Sequence, residues 1–204
     1  MTTHVTGITS YKGTMLQQHD NVFEVFSNFL LDIKPKRILE IGTGTGALTM
    51  FIRDFLNEHG MSDVDMLTFD VNDNTDIHDQ LRTMNNIKVS KENLFTGGNE
   101  FVLARLDLIE PYIKSEGTTL VLCDGGNKIR EFNQISPLIK SGDFIMAHDY
   151  ADTQDNFEAN INNKIWNWRE IGDEHIEQAV TENNLTPYNK SNFDSVVWVC
   201  RKKN

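Results

Sequence analysis

Two apolar runs in this 204-residue chain end in carboxylates that nothing in the adjoining sequence hides. Residues 120–123 lead straight into Asp124, followed by Gly125 and Gly126. Residues 143–147, "DFIMA", lead into His148-Asp149-Tyr150. Two carboxylates aimed at one place repel each other unless a proton or a cation lies between them. A hard divalent ion such as Mg²⁺ is a natural mediator, and the His148 nitrogen would better suit Zn²⁺, Fe²⁺ or Mn²⁺. Asp124, His148 and Asp149 are therefore candidate metal ligands. His148 and Lys128 are candidate bases, because imidazole titrates near neutrality and a lysine beside a metal can give up its proton. Plainer roles stay open. His148-Asp149 could be a hydrogen-bonded pair that orients a loop, Lys128 an exposed first-turn residue, and Asp124 the cap of a helix starting near Asn127.

A third acid stands beside a glycine loop, Glu40-Ile41-Gly42-Thr43-Gly44-Thr45-Gly46. It follows the run "RILEI" at 37–41 and opens an amphipathic stretch at 47–58. Glycines let backbone approach a ligand closely, and the helix behind them offers free N–H groups. Gly42-x-Gly44-x-x-Ala47 fits the dinucleotide fingerprint. Glu40 argues against that use, since it would repel a pyrophosphate. Asp70, at the end of "LTFD", is placed for ribose hydroxyls in either case.

Positioning these residues needs strands and helices in alternation. Apolar spacing predicts helices at 21–32 (Val22, Phe26 and Phe29 on one face, capped by Asp20 or Asn21), 47–58, 76–84, 98–114 (with Phe101), 128–140 and 174–184. Strands are predicted at 37–41, 65–71, 86–90, 118–123, 143–147 and 194–200. Near-continuous apolar strands alternating with helices mark a parallel sheet covered on both faces. The expected fold is Rossmann-like α/β: a doubly wound, mostly parallel seven-stranded sheet with an antiparallel C-terminal strand. Residues 1–204 read as one domain, with 1–35 as a helical cap and 151–173 as a substrate loop bearing Tyr150, Phe157, Trp166 and Trp168 on or beside it. Those aromatics could wall a substrate or anchor the loop, and Arg169 could meet an acidic substrate or a surface glutamate. Ligands in such folds bind at the carboxyl ends of the strands, where the strand order switches.

Glu40-x-Gly42-x-Gly44-x-Gly46 is also the first motif of class I S-adenosylmethionine-dependent methyltransferases, which the chain resembles. The resemblance implies a cofactor site of Glu40, Gly42, Thr43, Gly44, Gly46, Asp70 and Asp124, with Glu92 or Asn93 near the adenine. "TPYNKSNFDSVVWVCRKK" looks like that family's terminal antiparallel pair. A narrower likeness, over roughly residues 11–150, is to metal-dependent O-methyltransferases of the cephalosporin-hydroxylase, macrocin and catechol type. It rests on "GTMLQQHDN" (13–21), Asp124-Gly125, "SPLIKSGD" and His148-Asp149-Tyr150. It implies one Mg²⁺ or Mn²⁺ on the two acids and a small hydroxylated acceptor, sugar or catechol-like. Three positions depart from it. His148 stands where a carboxylate is usual, Gly126 where the macrocin type has a second Asp, and Lys128 one residue later than the catechol type's lysine.

Net charge is −11, from 19 basic and 30 acidic side chains. That field repels phosphate backbones, so no nucleic-acid partner is expected. No "Asn/Asp-Pro-Pro-Tyr" string follows the fourth expected strand, where amino-group nucleic-acid methyltransferases carry one; "CDGGN" stands there. The alternatives are a metal-independent methyltransferase of a macromolecule, a nicotinamide or flavin enzyme, and a non-catalytic cofactor-binding module. No run approaches the about 20 apolar residues of a membrane span. The first fourteen residues lack a signal peptide's apolar core, so the expected location is cytoplasmic. Cys123 and Cys200 read as reduced core residues. A homodimer is compatible with all of this.

Overall fold

The computed structural model describes residues 9–72, 75–97 and 102–204. Its elements are β1 (Thr9–Tyr11), β2 (Thr14–Leu16), α1 (Val22–Ile33), β3 (Arg37–Ile41), α2 (Ala47–Glu58), β4 (Asp65–Phe69), α3 (Thr75–Thr83), β5 (Ile87–Ser90) and α4 (Leu106–Lys114). There follow β6 (Thr119–Cys123), α5 (Lys128–Ile135), β7 (Phe144–Ala147), α6 (Gln154–Asn156) with a π-helical turn Phe157–Ile161, α7 (Asp173–Glu182), β8 (Leu185–Pro187), α8 (Lys190–Asp194) and β9 (Val199–Lys203).

Seven strands form one sheet in the order β5-β4-β3-β6-β7-β9-β8. The first five run parallel, and β9 is antiparallel to both β7 and β8. The expected α/β topology is thus present, with its switch point between β3 and β6. Strand alternation sorts the core into two layers. Ile38, Met66, Leu120, Leu122, Phe144 and Met146 face α1 and α2, whose Phe26, Phe29, Leu30, Ile52 and Leu56 are buried against them. Leu39, Leu67, Val121, Cys123 and Ile145 face the other way, onto Ile109 and Ile113 of α4, Phe132 and Ile135 of α5 and Ile176 of α7. Cys123 and Cys200 are both buried and unpaired.

Several boundaries differ from the sequence expectation, each for a local reason. Of the stretch 98–114, the described residues 102–114 are helical only from Leu106, because Leu103 bridges antiparallel to Phe95 and gives its amide to the Gln134 side chain. Phe101 lies outside the described residues. The helix expected over 128–140 stops at Ile135; Ser136 keeps helical dihedrals (φ −53°, ψ −32°), but Pro137 after it has no amide N–H with which to continue the hydrogen-bond ladder. The last strand is not 194–200; α8 and a turn come first, and pairing starts at Val199. The segment expected as a helical cap also contains the β1–β2 hairpin. Its turn residues Lys12 and Gly13 have φ of 47° and 80°, and two positive values in a two-residue turn are the mark of a type I′ hairpin. Tyr11 seats the hairpin on α1 and α2, packing against Phe23 and Phe51 and donating its hydroxyl to Asp54.

The switch point depends on one close approach. At Gly42 φ is +91°, and an added Cβ would lie 2.2 Å from the Asp124 carbonyl oxygen. Gly44 also has positive φ, 54°, but its missing Cβ would meet nothing within 4 Å. Gly42→Ala should therefore cost about 2–5 kcal/mol, combining backbone strain with overpacking. Gly44→Ala should cost only about 1–2 kcal/mol, from its φ alone. Urea midpoints at fixed m-value measure both, and equal losses would contradict the close approach.

Candidate functional site

The sequence-predicted residues come together at the carboxyl edge of β3, β6 and β7, around two adjoining cavities of about 430 and 390 Å³. The two share Gly42, Gly44, Asp124 and Gly125 on their walls. The smaller one is bounded by Asp70, Asn72, Glu92, Asn93, Phe95 and Glu131. The larger runs under the hairpin, with Glu40, Gln18, Lys128, His148, Asp149 and Trp166 on its walls.

The glycine loop is tied to β4. Gly42 and Thr43 donate their amides to the Phe69 carbonyl, and the Gly44 amide donates to Asp70 Oδ2 at 2.7 Å. Asp70 Oδ1 accepts from the Asn72 amide. Gly46 caps α2, packed so close that a Cβ would strike Ile77. Thr43 is buried, its hydroxyl 2.6 Å from that of Thr68. Glu40 is buried between β3 and α2, where Thr49 and Thr68 each donate a hydroxyl to Oε2 at 2.6 Å. Burial pushes its carboxyl up to about 7, against the pull of those two hydroxyls. Glu92 pairs with Arg105, and Asn93 Oδ1 accepts from the Phe95 amide, so both hold their own loop as well as lining the cavity.

Asp124 does not cap α5; Asn127 does, accepting from the Arg130 amide. Its loop is held instead by Glu131, a residue the sequence did not single out. Glu131 accepts from the Gly125 and Asn127 amides at 3.1 and 3.0 Å, and burial raises its carboxyl to about 7. Asp124 is left facing the larger cavity, where Gln18 donates to Oδ2 at 2.8 Å and His148 Nδ1 lies 3.2 Å from Oδ1. Gln18 is directed by Trp198 on its other side. The indole N–H can only donate, and it meets Gln18 Oε1 at 2.8 Å. The Gln18 amide N–H groups must therefore point at Asp124 and His148. Gln18 lies inside the quoted "GTMLQQHDN", but its partners are 106, 130 and 180 residues away.

His148 is buried between the rings of Trp166 and Trp198. Among the described residues its Nε2 has no hydrogen-bond partner, so Nδ1, also 3.4 Å from Asp149 Oδ1, is the nitrogen that meets the acids. Asp149 sits in the left-handed region at φ 57°, a conformation that costs a non-glycine residue about 1–3 kcal/mol and is typical of functional sites. Its Oδ1 accepts from Trp166 Nε1 at 2.5 Å. Trp166 thus anchors the loop and walls the cavity together, while Trp168 is half exposed at the mouth. Arg169 meets Glu174, the plainer of its two roles.

Lys128 is not an exposed first-turn residue. It is buried, with Nζ 3.0 Å from Asp149 Oδ2, 3.0 Å from Glu170 Oε2 and 3.7 Å from Asp124 Oδ1. Burial would lower its pKa, but the Asp124 and Asp149 charges outweigh that and hold it above the ordinary lysine range. Asp149 is correspondingly held low: burial alone would raise it, and His148 and Lys128 prevail. Asp124, His148 and Asp149 offer three donor atoms within 4.8 Å of one another, a separation that fits a single divalent ion.

The raised carboxyls make a pH signature. Between about pH 4.5 and 7 Glu40 binds a proton in the folded chain and not in the unfolded one. Folding stability therefore falls as pH rises through that window. Glu40→Gln removes this dependence: relative to wild type it should gain on the order of 1–3 kcal/mol between pH 5 and pH 8. Urea titrations at the two pH values read the difference, and a pH-independent difference would show that Glu40 ionises normally.

No protein-family model matches the sequence, and neither does any curated protein. Solved structures do match. The apo form of CmcI superposes with a TM-score of 0.65 at 14% identity, over 96% of this chain and 76% of that one. CmcI with Mg and SAM gives 0.62 at 14% identity, over 96% and 77%. A caffeoyl-CoA O-methyltransferase candidate from Staphylococcus aureus gives 0.56 at 13%, over 88% and 82%. The chain has the fold of class I S-adenosylmethionine-dependent methyltransferases.

Proposed function

We propose that the chain is an S-adenosylmethionine-dependent O-methyltransferase of a small hydroxylated acceptor, sugar or catechol-like. The observation that carries this reading is the acid-lined glycine loop opening into a cavity shared with Asp124, His148 and Asp149. Among the described residues, Glu40, Asp124, Asp149 and Glu170 against the ammonium of Lys128 make that cavity net acidic. Such a cavity suits a sulfonium cation and repels the pyrophosphate of a nicotinamide or flavin dinucleotide. On this reading the smaller cavity takes the adenosine: Asp70 binds the ribose hydroxyls, and Glu92 and Asn93 border the base. Gly42, Thr43, Gly44 and Gly46 shape the passage, and Glu40 faces the cofactor's cationic end. CmcI, similar in fold, was captured with Mg and SAM, which supports the cofactor.

The acceptor enters the larger cavity beside Trp166 and Trp168. Lys128 is held as an ammonium and is a poor base, so His148 takes the acceptor's hydroxyl proton at Nδ1. Asp124 and Asp149, both within 3.4 Å of that nitrogen, stabilise the imidazolium that forms. Orientation of the acceptor oxygen toward the methyl group supplies much of the acceleration. A divalent ion, Mg²⁺ or Mn²⁺, would be held by Asp124, His148 and Asp149; with His148 Nδ1 occupied by the ion, Lewis acidity would take the place of the free imidazole in easing loss of the hydroxyl proton.

Methyl transfer from radiolabelled S-adenosylmethionine to a panel of catechols and vicinal diols tests the reading. His148→Ala should lower kcat by about 10²–10⁴ with the Kd for S-adenosylhomocysteine unchanged. Asp70→Ala should weaken that Kd by roughly tenfold or more. Calorimetric binding of NADH in place of S-adenosylhomocysteine would overturn the proposal.

A further inference from the structure

The acid pair already has a cation. Lys128 Nζ lies within 3.7 Å of both Asp124 and Asp149, and it reaches a third carboxylate, Glu170, at 3.0 Å. A lysine in the first turn of a helix opposes the helix dipole, so its place here is explained by those carboxylates and not by α5. Asp149 is at once its nearest partner at the strand end and one of the three donors that fit a metal ion. An ammonium and a divalent ion on the same carboxylate repel strongly.

We propose that Lys128 is a built-in counter-cation that competes with a divalent ion for Asp149, and that Glu170 is the position to which it withdraws when the ion binds. Glu170 is suited to this. Its backbone amide donates to the Asp149 carbonyl at 2.9 Å, so it is fixed beside the site, while its side chain is half exposed. An ammonium that lets go of Asp149 keeps Glu170, and it keeps the Gly125 carbonyl that Nζ already meets at 3.3 Å. Lysine suits such a move because its charge is compact and rides on a flexible stem, with no fixed fork to realign. Divalent affinity is thereby set low, and the two acids stay compensated whether or not an ion is bound. The inference rests on Asp124, His148 and Asp149 as metal donors and not on methyl transfer.

Mn²⁺ alone, titrated into the full chain and read by electron paramagnetic resonance of the free ion, tests it. Lys128→Met should bind Mn²⁺ at least tenfold more tightly than wild type, and Lys128→Arg, which keeps the charge, should stay within about threefold of wild type. Glu170→Gln should bind several-fold more weakly. In the Lys128→Met background the same Glu170 change should alter affinity less than twofold, since it acts only through Lys128. Equal Mn²⁺ affinity in wild type and Lys128→Met overturns the proposal, as does an undiminished Glu170 effect in the double variant. Should Lys128→Met not fold, Glu170→Gln decides alone, and wild-type affinity there overturns it. S-adenosylhomocysteine binding on the same preparations separates this outcome from failure of the methyltransferase reading. Weak Mn²⁺ binding in every variant with that binding intact would sink the metal site while leaving the cofactor site standing.

Discussion

Carboxyl groups crowd the switch point of the sheet, and the arrangement around them follows from keeping them apart or compensated. A buried carboxylate needs hydrogen bonds or a counter-charge, or it takes up a proton. Each acid here has its own solution. Glu40 is met by two threonine hydroxyls and has a raised pKa. Glu131 has a raised pKa too and holds two backbone amides. Asp124 receives Gln18, and Asp149 receives Trp166 and Lys128. The same contacts fix the loops. Glu131 shapes the turn that aims Asp124, and Trp166 pins the 151–171 segment over the cavity.

The hairpin and the far edge of the sheet take part through one amide. Trp198, just before β9, sets the orientation of Gln18, and Gln18 delivers its N–H groups to Asp124 and His148. The terminal antiparallel strands are therefore part of the site's support. They close the sheet edge and also present the indole that decides which way Gln18 points.

Much of the fold was legible because it rests on periodicity. Strands such as 37–41 and helices such as 47–58 carry enough apolar positions for spacing to identify them. Glu40, Asp70, Asp124 and Asp149 could be placed because parallel strands bring their carboxyl ends to one edge. The rest was hidden for different reasons. Strands of three residues, as in the hairpin, are too short to show a period. The ends of α4 and α5 were set by a bridge to Phe95 and by Pro137, which apolar spacing does not register. Gln18 and Glu170 were missed because their importance lies in partners 42 to 180 residues distant. Lys128 was seen but not its role, since an N-terminal helix position gives no hint of burial among three acids.

Charge balance links these details to the chemistry proposed. Among the described residues around the larger cavity, four acids face one ammonium, and Glu40, with its carboxyl raised to about 7, is the one that can respond to a ligand by losing or keeping a proton. A sulfonium beside it would draw it to the ionised form, and the neutral thioether left after methyl transfer would release that hold. The acid that discriminates against pyrophosphate would on this reading also favour substrate over product. The cost is that binding a charged ground state tightly does nothing for the rate unless the transition state is held as well. Lys128 offsets part of the charge of Asp124, Asp149 and Glu170, and it leaves His148 between two acids able to stabilise it once it has taken a proton.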